Sequence, residues 1–197
     1  MLSDTVNLYW LSVEVFSAVF NLLYLFGLIS KRVWAWPMGA LGCLLAAFLF
    51  SHQKLYLEGM LNLGYTALAI MGWLRWGRAE QTYPFISKAS ILGGFILLPL
   101  LTSLLFGWGF HLCTDNPNPY LDAFLFSFSV GATLLQIKKQ RINWPFWWVL
   151  NALTTYVCIS RGLYVYAGYS TFMLLGAIVG YAQWSKTSKE THASLVH

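Results

Sequence analysis

The aromatic and amide side chains between residues 144 and 151 are those best suited to binding a small molecule. The segment reads Trp-Pro-Phe-Trp-Trp-Val-Leu-Asn. On a helix, the three tryptophans and Asn151 are spaced i, i+3, i+4 and i+7, so they share one face. Indole rings stack on flat ligands and attract cationic rings, and an amide both donates and accepts hydrogen bonds. Trp144, Trp147 and Asn151 are therefore predicted to bind a small flat ligand with a polar edge.

The alternative interpretation of this segment is a belt of tryptophans that anchors a helix at the membrane surface. A belt accounts for Trp144, which stands at the start of the predicted helix. It does not account for Asn151, which lies about 10 Å deeper at a rise of 1.5 Å per residue. An amide placed in lipid requires a partner or a function, and this favours binding.

The composition predicts an all-α integral membrane protein. Of 197 residues, 58% are hydrophobic and only 10% are charged, whereas soluble domains carry about 25% charged residues. The net charge of +5 could indicate nucleic acid, but the distribution of the charges favours a lipid bilayer and no nucleic acid. The three cysteines lack the spacing of metal ligands, and neither a metal nor a cofactor is expected.

Seven hydrophobic runs have the length needed to span a membrane. They cover residues 8–29, 33–51, 55–76, 87–108, 120–137, 144–160 and 162–184, and residues 185–197 form a polar tail. With seven spans, Lys54 and Arg161 fall on one side, and ten basic residues fall on the other. The ten are Lys31, Arg32, Arg75, Arg78, Lys88, Lys138, Lys139, Arg141, Lys186 and Lys189. Because basic loops stay in the cytoplasm, the N-terminus is predicted outside and the C-terminus inside.

The chain also repeats itself at a constant offset of 108 residues. The matching pairs include Trp36 with Trp144, Pro37 with Pro145, Gly72 with Gly180, Trp76 with Trp184, and Lys31 with Lys139. Residues 8–76 and 120–184 are thus predicted to be two three-helix repeats, and residues 87–108 a linker helix. Three helices plus a single linker helix bring the chain back to its starting side, so the two repeats are parallel. Transporters built from repeats hold their substrates near the middle of the bilayer.

Polar side chains within the spans are further candidates for substrate binding. Glu58, Asn62 and Tyr65 share one face of the third span. At the offset of 108, Tyr166 and Ser170 take the places of Glu58 and Asn62. Asp122, near the outer end of the fifth span, would attract a cationic substrate. The alternative is that these groups form polar contacts between helices or satisfy helix ends.

Other functional classes find little support in the sequence. An enzyme is not expected, because the chain has no H-E-x-x-H, G-x-S-x-G or P-loop motif. A retinal-type sensor needs a lysine in the middle of a helix, and the last span has none before Lys186. A channel needs a polar filter, which no loop provides.

The motifs of the second half resemble a known family. Trp144, Trp147 and Asn151 fit W-x-x-W-x-x-x-N, and Gly162-Leu163-Tyr164 and Tyr181-Ala182-Gln183-Trp184 follow. Together with Trp34-Ala35-Trp36-Pro37 and Leu55-Tyr56-Leu57-Glu58 in the first half, they make residues 8–184 similar to the PnuC family of bacterial vitamin transporters, whose fold is SWEET-like.

This resemblance implies a homotrimer in the bacterial cytoplasmic membrane. Each protomer would carry nicotinamide riboside by facilitated diffusion, and a cytoplasmic kinase would trap it. The resemblance also implies substrate contacts at Trp144, Trp147 and Asn151, and Trp36 holds the place of Trp144 in the first repeat. The third span departs from the family pattern, since it carries Glu58 and Asn62 where Asp and Gln are usual. Thiamine or riboflavin, and proton coupling through Glu58 or Asp122, therefore stay open.

Overall fold

The computed structural model describes residues 2–52, 56–77, 89–90, 93–113, 118–160, 162 and 164–194. Seven α-helices and one π-helical turn make up this part of the chain. They are α1 (Leu2–Ile29), α2 (Ala35–His52), α3 (Tyr56–Trp76), the π-turn Gly93–Leu97, α4 (Leu98–Cys113), α5 (Pro119–Ile137), α6 (Asn143–Ser160) and α7 (Tyr164–Ser194). Each predicted span overlaps one of these helices, which confirms the all-helical prediction.

The chain divides into two compact units. Unit 1 comprises Met1–Gln81 and holds α1 to α3, with α2 packed against both other helices. Unit 2 comprises Thr82–His197 and holds α4 to α7, with α5 packed against α4 and α6, and α7 packed against α6. The middle helix of each predicted repeat is therefore the one that contacts both of its repeat neighbours.

The fourth helix extends past residue 108, the predicted end of its span. From the π-turn at Gly93 it continues without interruption to Cys113. Pro99 has no N–H to donate to the preceding turn, and such a gap favours the wider π-turn before it. Gly109 does not end the helix, because a glycine weakens a helix by only about 1 kcal/mol. The helix packs on α5, where the ring of Tyr120 lies over Gly107.

Four of the described helices are long and apolar enough to cross a membrane. They are Tyr9–Ile29, Ala35–His52, Gly93–Cys113 and Pro119–Ile137. The helix α6 is of comparable length but carries amides and hydroxyls, among them Asn151 and Thr155. The helix α7 runs ten residues past the predicted span end at Trp184, to Ser194, into the polar C-terminal segment.

Both α1 and α5 end in the same hydrogen-bonded turn. In unit 1 the N–H of Lys31 donates to Leu28 O at 3.0 Å, and the N–H of Arg32 donates to Gly27 O at 2.8 Å. These two bonds define a Schellman cap, whose C′ residue adopts the left-handed conformation. Lys31 has a φ of 53° and its repeat equivalent Lys139 a φ of 51°. The turn geometry therefore recurs at the offset of 108.

A buried tryptophan holds α2 against α3. Trp36 is fully buried, and its ring lies so close to Gly72 that a Cβ there would collide with the indole. Trp76, one turn further along α3, packs edge-on against Trp36 with ring centroids 5.2 Å apart. Glycine thus allows the two helices to approach closely, and the pair of indoles fixes their register.

Candidate functional site

Trp144 occupies the same position in unit 2 that Trp36 occupies in unit 1. It is 1% exposed, its ring lies over Gly180 of α7, and it packs edge-on against Trp184 at 5.4 Å and 88°. Its Nε1 is buried without a hydrogen-bond partner. The contacts that the structure records for Trp144 are therefore those of an interior packing residue. Its predicted contact with substrate stays a prediction.

Trp148 also packs against α7. Its ring meets that of Tyr181 edge-on, with centroids 5.1 Å apart. The guanidinium of Arg141, in the turn before α6, lies 5.4 Å from the centre of the Tyr181 ring, within the range of a cation–π contact. Trp144 and Trp148, one turn apart, thus form the edge of α6 that faces α7.

Trp147 and Asn151 are less committed to packing. Both are half-buried, and Trp147 makes no ring–ring contact with any residue that the structure describes. Its Nε1 is buried and has no acceptor. The Asn151 amide donates through Nδ2 to Trp147 O at 2.8 Å. This bond leaves its carbonyl oxygen and its second N–H without a recorded partner. Within one helical turn, the structure therefore places an indole that has no aromatic partner among the described residues and an amide with an unpaired oxygen and N–H.

Ser170, predicted as a substrate contact, is buried at 3% exposure on α7. Its hydroxyl lies 2.8 Å from the hydroxyl of Thr155 on α6. The Thr155 hydroxyl also donates to the backbone carbonyl oxygen of Asn151, at 2.8 Å. Thr155 was not among the candidates that the sequence indicated. Its position four residues after Asn151, on the same helical face, was the available signal.

The candidates of unit 1 lie on different helices. Trp36 is in the packing contact described above, while Asn62 and Tyr65 are half-buried on α3. The side chain of Glu58 lies outside the part of the chain that the structure describes.

The two remaining candidates are on unit 2. Tyr166 is 46% exposed on α7. Asp122 lies in the first turn of α5 and is half-buried. A carboxylate in a first turn is stabilised by the partial positive charge of the helix N-terminus. This placement is consistent with the structural alternative for Asp122 as well as with the binding one.

Among the residues described, no group of three or more His, Cys, Asp or Glu side chains could hold a metal ion. Cys43, Cys113 and Cys158 are free thiols. The chemistry that the described part of α6 offers is therefore aromatic stacking and amide hydrogen bonding.

The chain is similar to known transporters in sequence and in fold. The family described as nicotinamide mononucleotide transporter matches residues 11–186. A curated relative from Neisseria mucosa, named nicotinamide riboside transporter PnuC, is 29% identical over 185 residues, which cover 84% of this chain and 64% of the relative. The chain thus spans less than two thirds of that relative's length.

A solved structure has the same fold. The crystal structure of the vitamin B3 transporter PnuC matches with a TM-score of 0.73 and 20% identity, and the match covers 90% of this chain and 82% of that one. The helices and the family match together confirm the resemblance found in the sequence. The chain therefore belongs to the nicotinamide mononucleotide transporter family, whose members are multi-pass membrane transporters and not enzymes.

Proposed function

We propose that this protein carries nicotinamide riboside across the bacterial cytoplasmic membrane. The name of the Neisseria relative supports this substrate, whereas the description of the family names its phosphorylated form, nicotinamide mononucleotide. The observation on the molecule that carries the proposal is the Trp147–Asn151 pair. It presents a half-buried indole without an aromatic partner beside an amide whose oxygen and second N–H are open.

The pair matches the nicotinamide group in shape and chemistry. A pyridinium ring is flat and cationic, and it would stack on the indole of Trp147 with an added cation–π attraction. Its carboxamide carries one acceptor and two donors. The open groups of Asn151, one acceptor and one donor, would form two hydrogen bonds with it.

A phosphate on the ligand would find no cation on α6. Between Asn143 and Ser160 the helix contains neither Lys nor Arg, and a buried charge without a partner is costly. We therefore expect nicotinamide riboside to bind more tightly than its phosphorylated form, nicotinamide mononucleotide.

We further propose that uptake is facilitated diffusion through a homotrimer, followed by trapping by a cytoplasmic kinase. The N-terminus would lie outside and the C-terminus in the cytoplasm, as the asymmetry of the basic residues indicates. A reporter that fluoresces only in the cytoplasm, fused beyond Trp184, should be bright. Uptake into vesicles should persist when the proton gradient is dissipated, and its loss would instead favour proton coupling.

Thermal stabilisation of the purified protein tests the substrate. Nicotinamide riboside, thiamine, riboflavin and nicotinamide mononucleotide would be added in turn, and a ligand at 100 times its Kd stabilises by about 2.7 kcal/mol. Nicotinamide riboside should give the largest shift. A larger shift with thiamine would replace the proposed substrate with the alternative that Glu58 and Asn62 left open.

Two substitutions test the site itself. Asn151→Leu keeps the volume but removes the hydrogen bonds, at a cost of about 1–3 kcal/mol for the stranded carboxamide. Trp147→Ala removes the stacking surface, worth about 0.5–1.5 kcal/mol beyond area burial. Each should weaken binding in titration calorimetry, and together they should weaken it more than tenfold. Val149→Ala, at a position 54% exposed, is the matched control on the same helix.

A further inference from the structure

A pair of hydroxyls joins α6 to α7 one turn below Asn151. Thr155 Oγ1 and Ser170 Oγ lie 2.8 Å apart, and either can donate. Ser170 is buried at 3% exposure and Thr155 is half-buried. The two hydroxyls thus bond to each other across two helices, and the Ser170 hydroxyl is engaged with protein groups.

Because a backbone acceptor lies near each hydroxyl, either hydroxyl can be the donor in the bond between them. Thr155 Oγ1 lies 2.8 Å from Asn151 O, and Ser170 Oγ lies 3.1 Å from Ala167 O. Two hydroxyl protons serve three contacts, so two arrangements are consistent. Ser170 donates to Thr155 while Thr155 donates to Asn151 O, or Thr155 donates to Ser170 while Ser170 donates to Ala167 O. The bond between the hydroxyls is present in both.

Both the side chain and the backbone of Asn151 can form hydrogen bonds within α6. Its side-chain Nδ2 donates to the backbone carbonyl of Trp147 one turn earlier, and in the first arrangement its own backbone carbonyl accepts from the Thr155 hydroxyl one turn later. The open groups of the amide are therefore oriented by α6 itself, while the Thr155–Ser170 bond fixes that turn of α6 against α7.

Unit 1 lacks this device at the equivalent positions. At the offset of 108, Thr155 corresponds to Ala47, Ser170 to Asn62 and Asn151 to Cys43. Ala47 has no polar side chain, yet α2 and α3 pack closely. A hydroxyl pair is thus not needed to join the middle and last helices of a repeat, and it occurs in the unit that carries the amide.

We propose that Thr155 and Ser170 are positioning residues that hold Asn151 in the orientation which selects a carboxamide ligand. This inference rests on the proposed function. Neither hydroxyl needs to touch the ligand, because both act through the backbone and placement of Asn151. Without the hydroxyl pair, the Asn151 amide would still be present, but it would form the two hydrogen bonds to a ligand carboxamide less well.

The test uses the full-length purified protein and titration calorimetry with two probes. Nicotinamide riboside carries the carboxamide, and nicotinic acid riboside carries a carboxylate in its place. Thr155→Val, which is close to threonine in shape, should weaken nicotinamide riboside binding about five- to tenfold, as expected for one hydrogen bond. It should also narrow the preference over nicotinic acid riboside. Thr155→Ser keeps the hydroxyl and should restore most of the lost affinity.

Controls separate positioning from simple packing. Thr154 is the neighbouring threonine, half-buried and without a recorded hydrogen bond, so Thr154→Val should leave affinity and preference unchanged. Ser170→Ala should resemble Thr155→Val. The double variant should be no worse than either one, because both changes break the same bond.

Two results would overturn the inference. In the first, Thr155→Val lowers the melting temperature but keeps the affinity and the carboxamide preference, so the pair only packs the helices. In the second, Thr155→Ser binds as poorly as Thr155→Val, so the hydroxyl is not the group that matters. Asn151→Leu distinguishes the two levels. If it abolishes binding while Thr155→Val does not weaken it, only the positioning role fails; if it leaves binding intact, the proposed site fails as well.

Discussion

The two units are built on the same turn and the same buried tryptophan, but their helix pairs use opposite patterns of large and small side chains. In unit 1 the large residue is Tyr24 on α1, and its ring lies against Gly39 on α2, where a Cβ would come within 2.7 Å of Cδ2. The equivalent positions of unit 2 are Ala132 on α5 and Trp147 on α6. The aromatic side chain has thus moved from the first helix of the repeat to the middle one.

A second pair of positions repeats this exchange. Asn21 of α1 lies against Gly42 of α2, and their equivalents are Ser129 and Leu150. What recurs between the units holds helices together, as the Lys-capped turns and the tryptophan–glycine contacts do. What differs includes Trp147 and Asn151, the residues with open groups. The comparison indicates that the duplication retained the scaffold and changed the side chains that can bind a ligand.

The largest expected effect concerns the buried tryptophans that recur. Trp36→Ala and Trp144→Ala should each destabilise the protein by about 3–5 kcal/mol, because each removes a fully buried indole from a helix contact. Denaturation in detergent measures this loss. Trp73→Ala, at a position 49% exposed on α3, should have a much smaller effect. A stable Trp144→Ala variant that fails to bind ligand would show instead that this ring serves the ligand, and the two units would then differ here too.

A smaller effect tests the exchange of sizes. Gly39→Trp alone should clash with Tyr24, and Tyr24→Ala alone should leave a cavity. The double variant, which transfers the pattern of unit 2 into unit 1, should be more stable than the sum of the two losses by about 0.5–3 kcal/mol. A double-mutant cycle on thermal unfolding measures this coupling. Strict additivity would mean that the two positions are independent and that the size pattern has no structural meaning.

The smallest expected effect concerns the capped turns. Lys31→Gly and Lys139→Gly should each stabilise the protein by about 0.5–1 kcal/mol. The left-handed conformation costs lysine about 1–2 kcal/mol, and the larger loss of chain entropy that glycine undergoes on folding offsets part of the gain from removing this strain. Lys31→Ala and Lys139→Ala remove the same charge but keep the Cβ, so they should bring no gain. Equal gains would confirm that the two turns are equivalent, and a gain in one unit alone would break the comparison at this point.

Hydropathy and repetition were sufficient to predict seven helices and their order. The helix starts were predicted to within two residues where a proline marks the first turn, at Trp36-Pro37 and Trp144-Pro145. The predicted end of the fourth span at residue 108 came before the observed helix end at Cys113, because a single glycine at Gly109 weakens a helix too little to end it. The π-turn before Pro99 depends on backbone geometry and has no clear signature in the residue pattern.

The candidate site was predicted as a face but not in its division of roles. Spacing placed Trp144, Trp147 and Asn151 together, and it could not separate them, because a helical period describes one helix and not its neighbours. Ser170 was predicted as a ligand contact for the same reason, because the sequence could not indicate that its hydroxyl bonds to Thr155 on the neighbouring helix. Thr155 was overlooked because a threonine in a helix is usually unremarkable.

The sequence by itself determined the membrane class, the seven helices, the duplication and the family, since each of these depends on composition or on matches along the chain. The tertiary structure decided which side chains remain open. Gly180 leaves room for the ring of Trp144, Tyr181 covers Trp148, and Ser170 engages Thr155. Each of these contacts comes from α7, and the packing of a second helix decides which groups on α6 are already partnered. Trp147 and Asn151 retain open groups because no described residue of that neighbour pairs with them.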